Sequence, residues 1–303
     1  MITLRPYQTE IINNVREEFR RHNSVVMVLP TGAGKTLTTG WMLAKAAEIG
    51  KTSIFCVHRV ELLEQTRKAF AKLGITCGLI ASDQDFEPGH RVYIASIDTL
   101  RRRLDHVPCP DLLVLDEAHR AMCASWTTVI HHYAAAKKLL ITATPERLDG
   151  KGLCHVAQSL VTGVNTRWLI DNGFLAPYKI YTSPQKLELK GVRTTGGDYN
   201  TGDLAAAMDK PTITGDAVQH YQRHGQNQQA IVFAVTVEHS KNIAQQFCDA
   251  GIEAAHLDGT AGKIERENIV EQYRSGDIRV LCNVNLFTEG FDVPEAGVCI
   301  MLR

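Results

Sequence analysis

The sequence predicts an α/β protein made of two tandem units, each built on a parallel β-sheet that is covered by helices. Three observations support this fold class. Short continuous apolar runs alternate with helical stretches, which is typical of strands buried on both faces of a parallel sheet. The alternation weakens after Pro145 and resumes at Ile213, so it forms two blocks. The chain has 303 residues, which suggests two domains at ~100–200 residues each.

The first block contains five candidates for buried strands, with helices between them. The strands are predicted at Val25–Leu29, Ser53–Val57, Val92–Ala95, Leu112–Leu115 and Leu139–Thr142. Helices are predicted over residues 35–49 and 60–73. Residues 146–176 look mainly helical and connective, and Lys179–Thr182 is a further candidate strand.

The second block begins after a stretch rich in glycine and threonine, residues 192–202, which predicts a loop or loose hairpin. Its strands are predicted at Ala230–Ala234, Glu253–Leu257, Arg279–Asn283 and Val298–Leu302, and its helices over residues 214–224, 237–250 and 262–273. No helix follows the last strand, so the second unit is predicted to be incomplete.

The composition limits the kind of partner and compartment. Lys plus Arg is 33 and Asp plus Glu is 33, so no global basic field exists and nucleic-acid binding would have to use a local groove. The eight cysteines contain no C-x-x-C spacing, which argues against a zinc site or a redox pair and fits a reducing compartment. With no apolar signal core and no run long enough to span a bilayer, a cytoplasmic location is expected.

A glycine-rich loop between the first strand and the first helix predicts a phosphate site. Glycines let successive backbone N–H groups face one point, and the helix N-terminus adds positive potential there. Lys35 would reach the β- and γ-phosphates of ATP, and the Thr36 hydroxyl would ligate Mg²⁺. The general motif has a glycine where this chain has Leu29. The candidate ATP-binding residues of this loop are Thr31, Gly32, Ala33, Gly34, Lys35 and Thr36.

An acidic pair follows the strand Leu112–Leu115 directly. Ligands of open α/β sheets bind at the carboxyl ends of the strands, so Asp116 and Glu117 are expected beside the phosphate loop. Asp116 would hold Mg²⁺, and Glu117 would orient or deprotonate the attacking water. His119 would couple the nucleotide site to the neighbouring domain. Lys35, Asp116, Glu117 and His119 are therefore the candidate catalytic residues.

These motifs resemble the DEAD/DEAH-box group of superfamily-2 helicases over nearly the whole chain. The resemblance implies two tandem RecA-like P-loop domains: an ATP-binding domain at 1–165, a connector at 166–211 and a truncated C-terminal domain at 212–303. The segment from Leu4 to Gln8 resembles the adenine-sensing segment, in which Gln8 would read the adenine edge and Arg5 or Tyr7 would pack nearby. The segment Thr142-Ala143-Thr144-Pro145 resembles the motif that couples hydrolysis to strand movement, and its hydroxyls, on Thr142 and Thr144, would bond to the acidic segment.

The same resemblance implies contacts to nucleic acid at the ends of several strands. The candidates are Arg59, Ser96, Thr99, Thr236, Thr260 and Thr288. For the first three of these, helix capping is an equally good interpretation. Gly290 and Asp292 would sit at the interdomain ATP cleft.

Within that group, the opening Leu-Arg-Pro-Tyr-Gln and the later Phe-Ala-Val-Thr-Val-Glu-His are most similar to bacterial and phage RadD-like DNA helicases. This favours DNA, single-stranded or branched, as the partner. The family's sixth motif contains a Gly-Arg pair that supplies arginine fingers, and this sequence, which ends at Arg303, has none. We therefore expect a fragment of a longer protein, or a short product that hydrolyses ATP weakly.

The sequence thus predicts an ATP-dependent helicase or translocase that uses Mg²⁺. Three alternatives stay open. The first is a restriction-type motor subunit or another P-loop ATPase, since these proteins share the phosphate loop and the acidic pair. The second is a non-catalytic ATP-dependent DNA clamp, which is compatible with the missing arginine finger. The third is a motor that moves along RNA instead of DNA.

Overall fold

The fold is taken from a computed structural model. It describes residues 3–82, 85–118, 121, 123–145, 153, 155–182, 193–195, 198–199, 203, 211–284, 286 and 293–302. The chain divides into two compact units, Met1–Lys179 and Ile180–Arg303. None of the helices in the described ranges combines the length and apolar composition needed to cross a membrane.

The first unit is built on a seven-stranded sheet in which every neighbouring pair of strands is parallel. Its strands are β1 (Ser24–Val28), β2 (Ser53–Val57), β3 (Cys77–Ile80), β4 (Val92–Ser96), β5 (Leu112–Leu115), β6 (Lys137–Thr142) and β7 (Ser159–Thr162). Their order across the sheet is β3-β4-β2-β5-β6-β1-β7. The strands that lead into the phosphate loop and the acidic pair, β1 and β5, therefore both border β6.

Helices cover both faces of this sheet. They are α1 (Pro6–Arg21), α2 (Lys35–Glu48), α3 (Glu61–Ala71), α4 (Ile97–Arg102), α5 (Ala124–His132) and α6 (Thr166–Asp171). Side chains of α1, α2, α3 and α6 pack with one set of strand residues, and side chains of α4 and α5 pack with the alternate set. Because successive strand residues point to opposite faces, these two sets are two separate apolar layers.

Two consecutive lysines at the start of β6 donate to carbonyls at the end of α1 and in the turn after α5. Lys137 Nζ donates to the carbonyl oxygens of Phe19 and His22 at the end of α1. Lys138 Nζ donates to Ala134 O at 3.1 Å and Ala136 O at 2.9 Å, just after α5. Cationic donors suit helix C-termini, whose last carbonyls have no partner within the helix.

The second unit contains a four-stranded parallel sheet with the order β11-β12-β10-β13. Its strands are β10 (Gln229–Ala234), β11 (Ala254–Leu257), β12 (Val280–Asn283) and β13 (Ala296–Leu302), and its helices are α7 (Pro211–His224), α8 (Val237–Asp249) and α9 (Lys263–Ser275). Helices α7 and α8 pack on one face and α9 on the other. A two-residue antiparallel pair, β8 (Thr194–Thr195) with β9 (Asp198–Tyr199), precedes them.

The predicted α/β class is confirmed, and each strand predicted from a continuous apolar run is present within a few residues of its predicted bounds. The hairpin interpretation is confirmed at β8 and β9. The candidate strand Lys179–Thr182 is wrong, because those residues form no regular element. Residues 146–176 were expected to be mainly helical and connective; their described part contains α6, but the strand β7 was missed. Strand β3 was also missed. Helix α7 begins at Pro211 rather than Thr214, since proline suits a first helical turn, where its missing N–H costs nothing.

Candidate nucleotide site

The loop between β1 and α2 has the backbone geometry of an anion site. Gly32 and Gly34 both have φ of 80°, a left-handed conformation that glycine adopts without strain. Gly34 is the N-cap residue of α2 and provides no side-chain cap. The first N–H groups of α2 are thus left for a ligand, and the helix dipole favours a negative one.

A Cβ atom on either glycine would displace a neighbouring side chain. A Cβ atom on Gly34 would lie 2.7 Å from Nε2 of Gln8. A Cβ atom on Gly32 would lie 2.6 Å from Cδ2 of Leu175, which follows α6. The loop is therefore packed against both the beginning and the end of the first unit.

Helix α1 holds the loop through a single carbonyl. The Tyr7 hydroxyl donates to Ala33 O at 2.9 Å, and Gln8 Nε2 donates to the same oxygen at 3.0 Å. The Gln8 side-chain oxygen accepts from the backbone N–H of Arg5 at 2.9 Å. Tyr7 and Gln8 are both buried. Because both side chains bond to Ala33 O, the segment that the resemblance assigns to adenine sensing also supports the phosphate loop.

The structure brings Lys35 together with Asp116 and Glu117. Strands β1 and β5 are separated only by β6, roughly 10 Å at two strand spacings. Burial lowers the pKa of Lys35, while the charges of Glu117 and Asp116 oppose that shift. Lys35 Nζ also donates to Leu29 O at 3.4 Å, within its own loop. An ammonium and two carboxylates are thus close enough to interact electrostatically, beside the open N-terminus of α2.

The two carboxylates differ in environment. Burial raises the pKa of Asp116 to about 6, and the charge of Glu117 adds to the rise, whereas the Glu117 N–H and Lys35 act against it. The Glu117 N–H donates to Asp116 Oδ1 at 3.0 Å. Glu117 has φ of 54°, a strained conformation for a residue with a Cβ atom, and such strain is concentrated at functional sites. His119, the fourth candidate catalytic residue, lies outside the described residues.

The oxygen donors beside the loop suit Mg²⁺. Thr38 and Thr39 donate their hydroxyls to Gly34 O and Lys35 O, one turn back in α2. The Thr36 hydroxyl, by contrast, has no hydrogen-bond partner among the described residues. A free hydroxyl, a carboxylate and phosphate oxygens are the hard ligands that Mg²⁺ prefers.

The turn after β6 adjoins the loop but does not make the expected contact. Thr142 O accepts from the Leu29 N–H at 3.1 Å, so the two segments are joined directly. The Thr142 hydroxyl donates to Thr144 O at 2.9 Å and accepts from the Thr144 N–H at 3.1 Å. A hydroxyl has one proton to donate, so the expected bond from Thr142 to the acidic segment is wrong for this structure. Thr144 is exposed.

The nucleic-acid candidates of the first unit lie at the carboxyl ends of β2 and β4. Arg59 is half-buried after β2. Ser96 and Thr99 are only 4% and 7% exposed, which leaves little surface for a direct phosphate contact. Ser96 is the N-cap residue of α4, yet its side chain makes no capping hydrogen bond.

In the second unit, Thr236 and Thr260 both follow strands. Thr236 caps α8, and its hydroxyl accepts from the His239 N–H at 3.2 Å. Thr260 donates both its N–H and its hydroxyl to Asp258 Oδ1, at 2.7 and 2.6 Å. These bonds and the contact to His256 hold the pKa of Asp258 far below its usual range. Both donors of Thr260 are therefore engaged. Thr288, Gly290 and Asp292 lie outside the described residues.

Three residues beside the loop were missed by sequence reasoning. Leu175 contacts Gly32, and Phe174 and Trp168 meet the Tyr7 ring edge-on, with centroids 5.3 and 5.7 Å away. Their only sequence signal is a cluster of large apolar side chains after the first block. Such clusters usually belong to a core, so nothing in the sequence tied them to the loop.

Two protein families match the chain. The family described as "Type III restriction enzyme, res subunit" matches residues 1–147, and "Helicase conserved C-terminal domain" matches residues 211–303. A 51.5 kDa protein of a Lactococcus phage is 35% identical over 274 residues, which are 90% of this chain and 58% of that protein. The putative ATP-dependent helicase IRC3 of Saccharomyces cerevisiae is 28% identical over 99% of this chain and 46% of its own length. The chain thus spans about half the length of these two relatives.

Other relatives and solved structures agree on the fold. The DNA 3'-5' translocase XPB2 of Sulfurisphaera tokodaii is 25% identical, covering 99% of this chain and 75% of that protein. Among solved structures, the Type ISP restriction-modification enzyme LlaBIII bound to DNA aligns with a TM-score of 0.73 at 17% identity, over 99% of this chain and 26% of that one. The Hef helicase domain of Pyrococcus furiosus aligns with a TM-score of 0.56 at 18% identity, over 99% and 89%.

Proposed function

We propose that the chain is a superfamily-2 helicase motor, which binds ATP with Mg²⁺ at the loop of residues 31–36 and hydrolyses it to move along nucleic acid; the matches to helicase families and relatives support this. One observation carries this proposal: β1 and β5 bring the Lys35 ammonium within electrostatic reach of Asp116 and Glu117, beside an uncapped helix N-terminus. Phosphoryl transfer needs little covalent chemistry from a protein. It needs a cationic cradle, a metal site and a positioned water.

The proposed roles follow from the chemistry of each group. The N–H groups at the start of α2 and the Lys35 ammonium bind the β- and γ-phosphates. Thr36 and Asp116 hold Mg²⁺, which neutralises phosphate charge when bound. Glu117 accepts a proton from the attacking water or orients it. Gln8 reads the base. His119 and Thr144 keep their expected coupling roles as part of the proposal.

We propose DNA as the track, with single-stranded or branched forms preferred. The proposal is supported by relatives whose names specify DNA, such as the Sulfurisphaera translocase. Arg59, Thr236 and the residues around Thr260 are the proposed backbone contacts. Contacts to backbone phosphates carry no sequence information, so we expect slight sequence preference and strong salt dependence.

The test is ATP turnover by the purified protein with single-stranded DNA, with RNA of the same sequence and without nucleic acid. We expect stimulation by DNA, and we expect Lys35→Ala to abolish turnover. Lys45→Ala is the matched control, because Lys45 lies on the same helix and its ammonium pairs with Glu48 at the surface, so turnover should be unchanged. Normal turnover in the Lys35 variant would refute the site, and indifference to any nucleic acid would refute the motor.

A second candidate is the motor part of a restriction enzyme. It is favoured by the family matched at residues 1–147 and by the alignment with the LlaBIII enzyme. Such a motor shares the ATP chemistry and differs in being linked to DNA cleavage. Cleavage of circular DNA that requires both ATP and the full-length protein would support this candidate, whereas ATP-driven strand separation without cleavage would support the first.

A further inference from the structure

A flat cationic group lies beside the phosphate loop. The central carbon of the Arg5 guanidinium lies 4.8 Å from the centroid of the Phe174 ring. The same guanidinium donates to the Tyr7 hydroxyl at 3.3 Å, and that hydroxyl donates to Ala33 O at 2.9 Å. Arg5 is therefore held both by an aromatic ring and by a hydroxyl that is bonded to the loop.

The Phe174 ring is held by aromatic neighbours. Trp168 lies nearly parallel to it, at an interplanar angle of 19° and a centroid distance of 5.8 Å. Tyr7 meets it edge-on, with centroids 5.3 Å apart. Phe174 is half-buried, whereas Arg5 is exposed. The ring is thus fixed in the protein, and the guanidinium that rests on it remains accessible from solvent.

A guanidinium held over an aromatic ring offers a plane on which an aromatic base can lie. Guanidinium groups are planar, weakly hydrated and stack readily on π systems. Gln8 lies three residues after Arg5 in the first turn of α1, and its side-chain nitrogen carries two N–H donors, one of which goes to Ala33 O. The Gln8 side chain also accepts from the Arg5 N–H, so a base that lies on Arg5 would be next to a residue that is bonded to the phosphate loop.

We infer that Phe174 is a positioning residue for the nucleobase: it keeps the Arg5 guanidinium flat, and the base of the bound nucleoside triphosphate stacks on that plane. The inference rests on the proposed function, because it needs a nucleotide on the phosphate loop. It assigns a part in base binding to the end of the first unit, far in sequence from the loop.

The experiment compares equilibrium binding of ATP and of tripolyphosphate, which has the phosphates but no base. Phe174→Leu keeps a large apolar side chain and removes the π face. We expect this variant to bind ATP about three- to tenfold more weakly, the size of a stacked cation–π contact, with tripolyphosphate affinity unchanged. Phe174→Tyr should bind both ligands like the natural protein. Tyr178→Leu is the matched control, since this exposed aromatic residue lies four positions further on.

A double-mutant cycle tests whether Phe174 acts through Arg5. Arg5→Lys keeps the charge and removes the plane, so it should show the same selective loss, and adding Phe174→Leu should weaken ATP binding no further. Additive losses would overturn the inference, as would equal weakening of both ligands or no weakening at all. If the natural protein binds neither ATP nor tripolyphosphate, the proposed function itself fails. That result differs from one in which the natural protein binds both ligands and Phe174→Leu leaves ATP binding unchanged, which refutes only the role of Phe174.

Discussion

Replacing Gly34 with alanine should destabilise the first unit through two effects that can be separated. The first is backbone strain, because a residue with a Cβ atom at φ of 80° costs about 1–2 kcal/mol. The second is steric: the new Cβ would lie 2.7 Å from Gln8 Nε2 and displace that amide from Ala33 O. Gln8 is buried, so the broken hydrogen bond costs about 1–2 kcal/mol more. The expected total loss of unfolding free energy is about 2–4 kcal/mol.

Gly50 provides the matched control. It also has φ of 80°, but nothing lies within 4 Å of a Cβ placed there, so Gly50→Ala should show the strain alone. The assay is urea unfolding followed by tryptophan fluorescence, because the three tryptophans, Trp41, Trp126 and Trp168, all lie in the first unit. In a Gln8→Ala background the two glycine variants should lose equal stability. Equal losses in the natural background, or a difference that persists without Gln8, would refute the reasoning.

Three further predictions concern other parts of the first unit. Thr36→Val should raise the Mg²⁺ concentration for half-maximal ATP turnover roughly tenfold or more, while Thr39→Val, in the same turn, should not change it in a magnesium titration. Bonds from Thr52 and Lys51 lower the pKa of Asp111 from 3.8 to about 2, so its contribution to stability is present above pH 3.8 and is lost as pH falls towards 2. Asp111→Asn should therefore flatten the fall of the urea midpoint in that window, and an unchanged fall would contradict the assignment. Lys138→Met should cost about 1–2 kcal/mol in urea unfolding, because two carbonyls lose their buried donor, and a loss near zero would contradict it.

In the first unit, the strands that the sequence predicted and those that it missed differ in burial. Strands β1, β2 and β4 are buried at every residue, so they appear as continuous apolar runs. The missed strands, β3 and β7, are the two edges of the seven-stranded sheet, and each buries only some of its residues. An edge strand with polar and small residues has no continuous apolar run, and its pairing depends on a partner that is distant in sequence.

The candidate site shows the same division between local and distant information. The loop and the acidic pair are local motifs, each directly after a predicted strand, so the sequence alone predicts that Lys35 and Asp116 lie at the same edge of the sheet. The support of the loop by Gln8 and the contact of Leu175 with Gly32 depend on folding. The Thr142 hydroxyl was assigned to the wrong partner, because a nearby backbone carbonyl in its own turn competes for its only proton, and sequence patterns do not rank such neighbours.

Lys137 and Lys138, at the start of β6, help to fix the register of that strand beside the candidate nucleotide site. Consecutive side chains of a strand point to opposite faces, so Lys137 can reach the end of α1 and Lys138 the turn after α5 in one register only. A slip of β6 by one position would turn each ammonium towards the wrong helix and send both into apolar layers. Strand β6 lies between β1 and β5 and sets their spacing. By fixing the register of β6, the two lysines therefore help to fix the distance between Lys35 and Asp116.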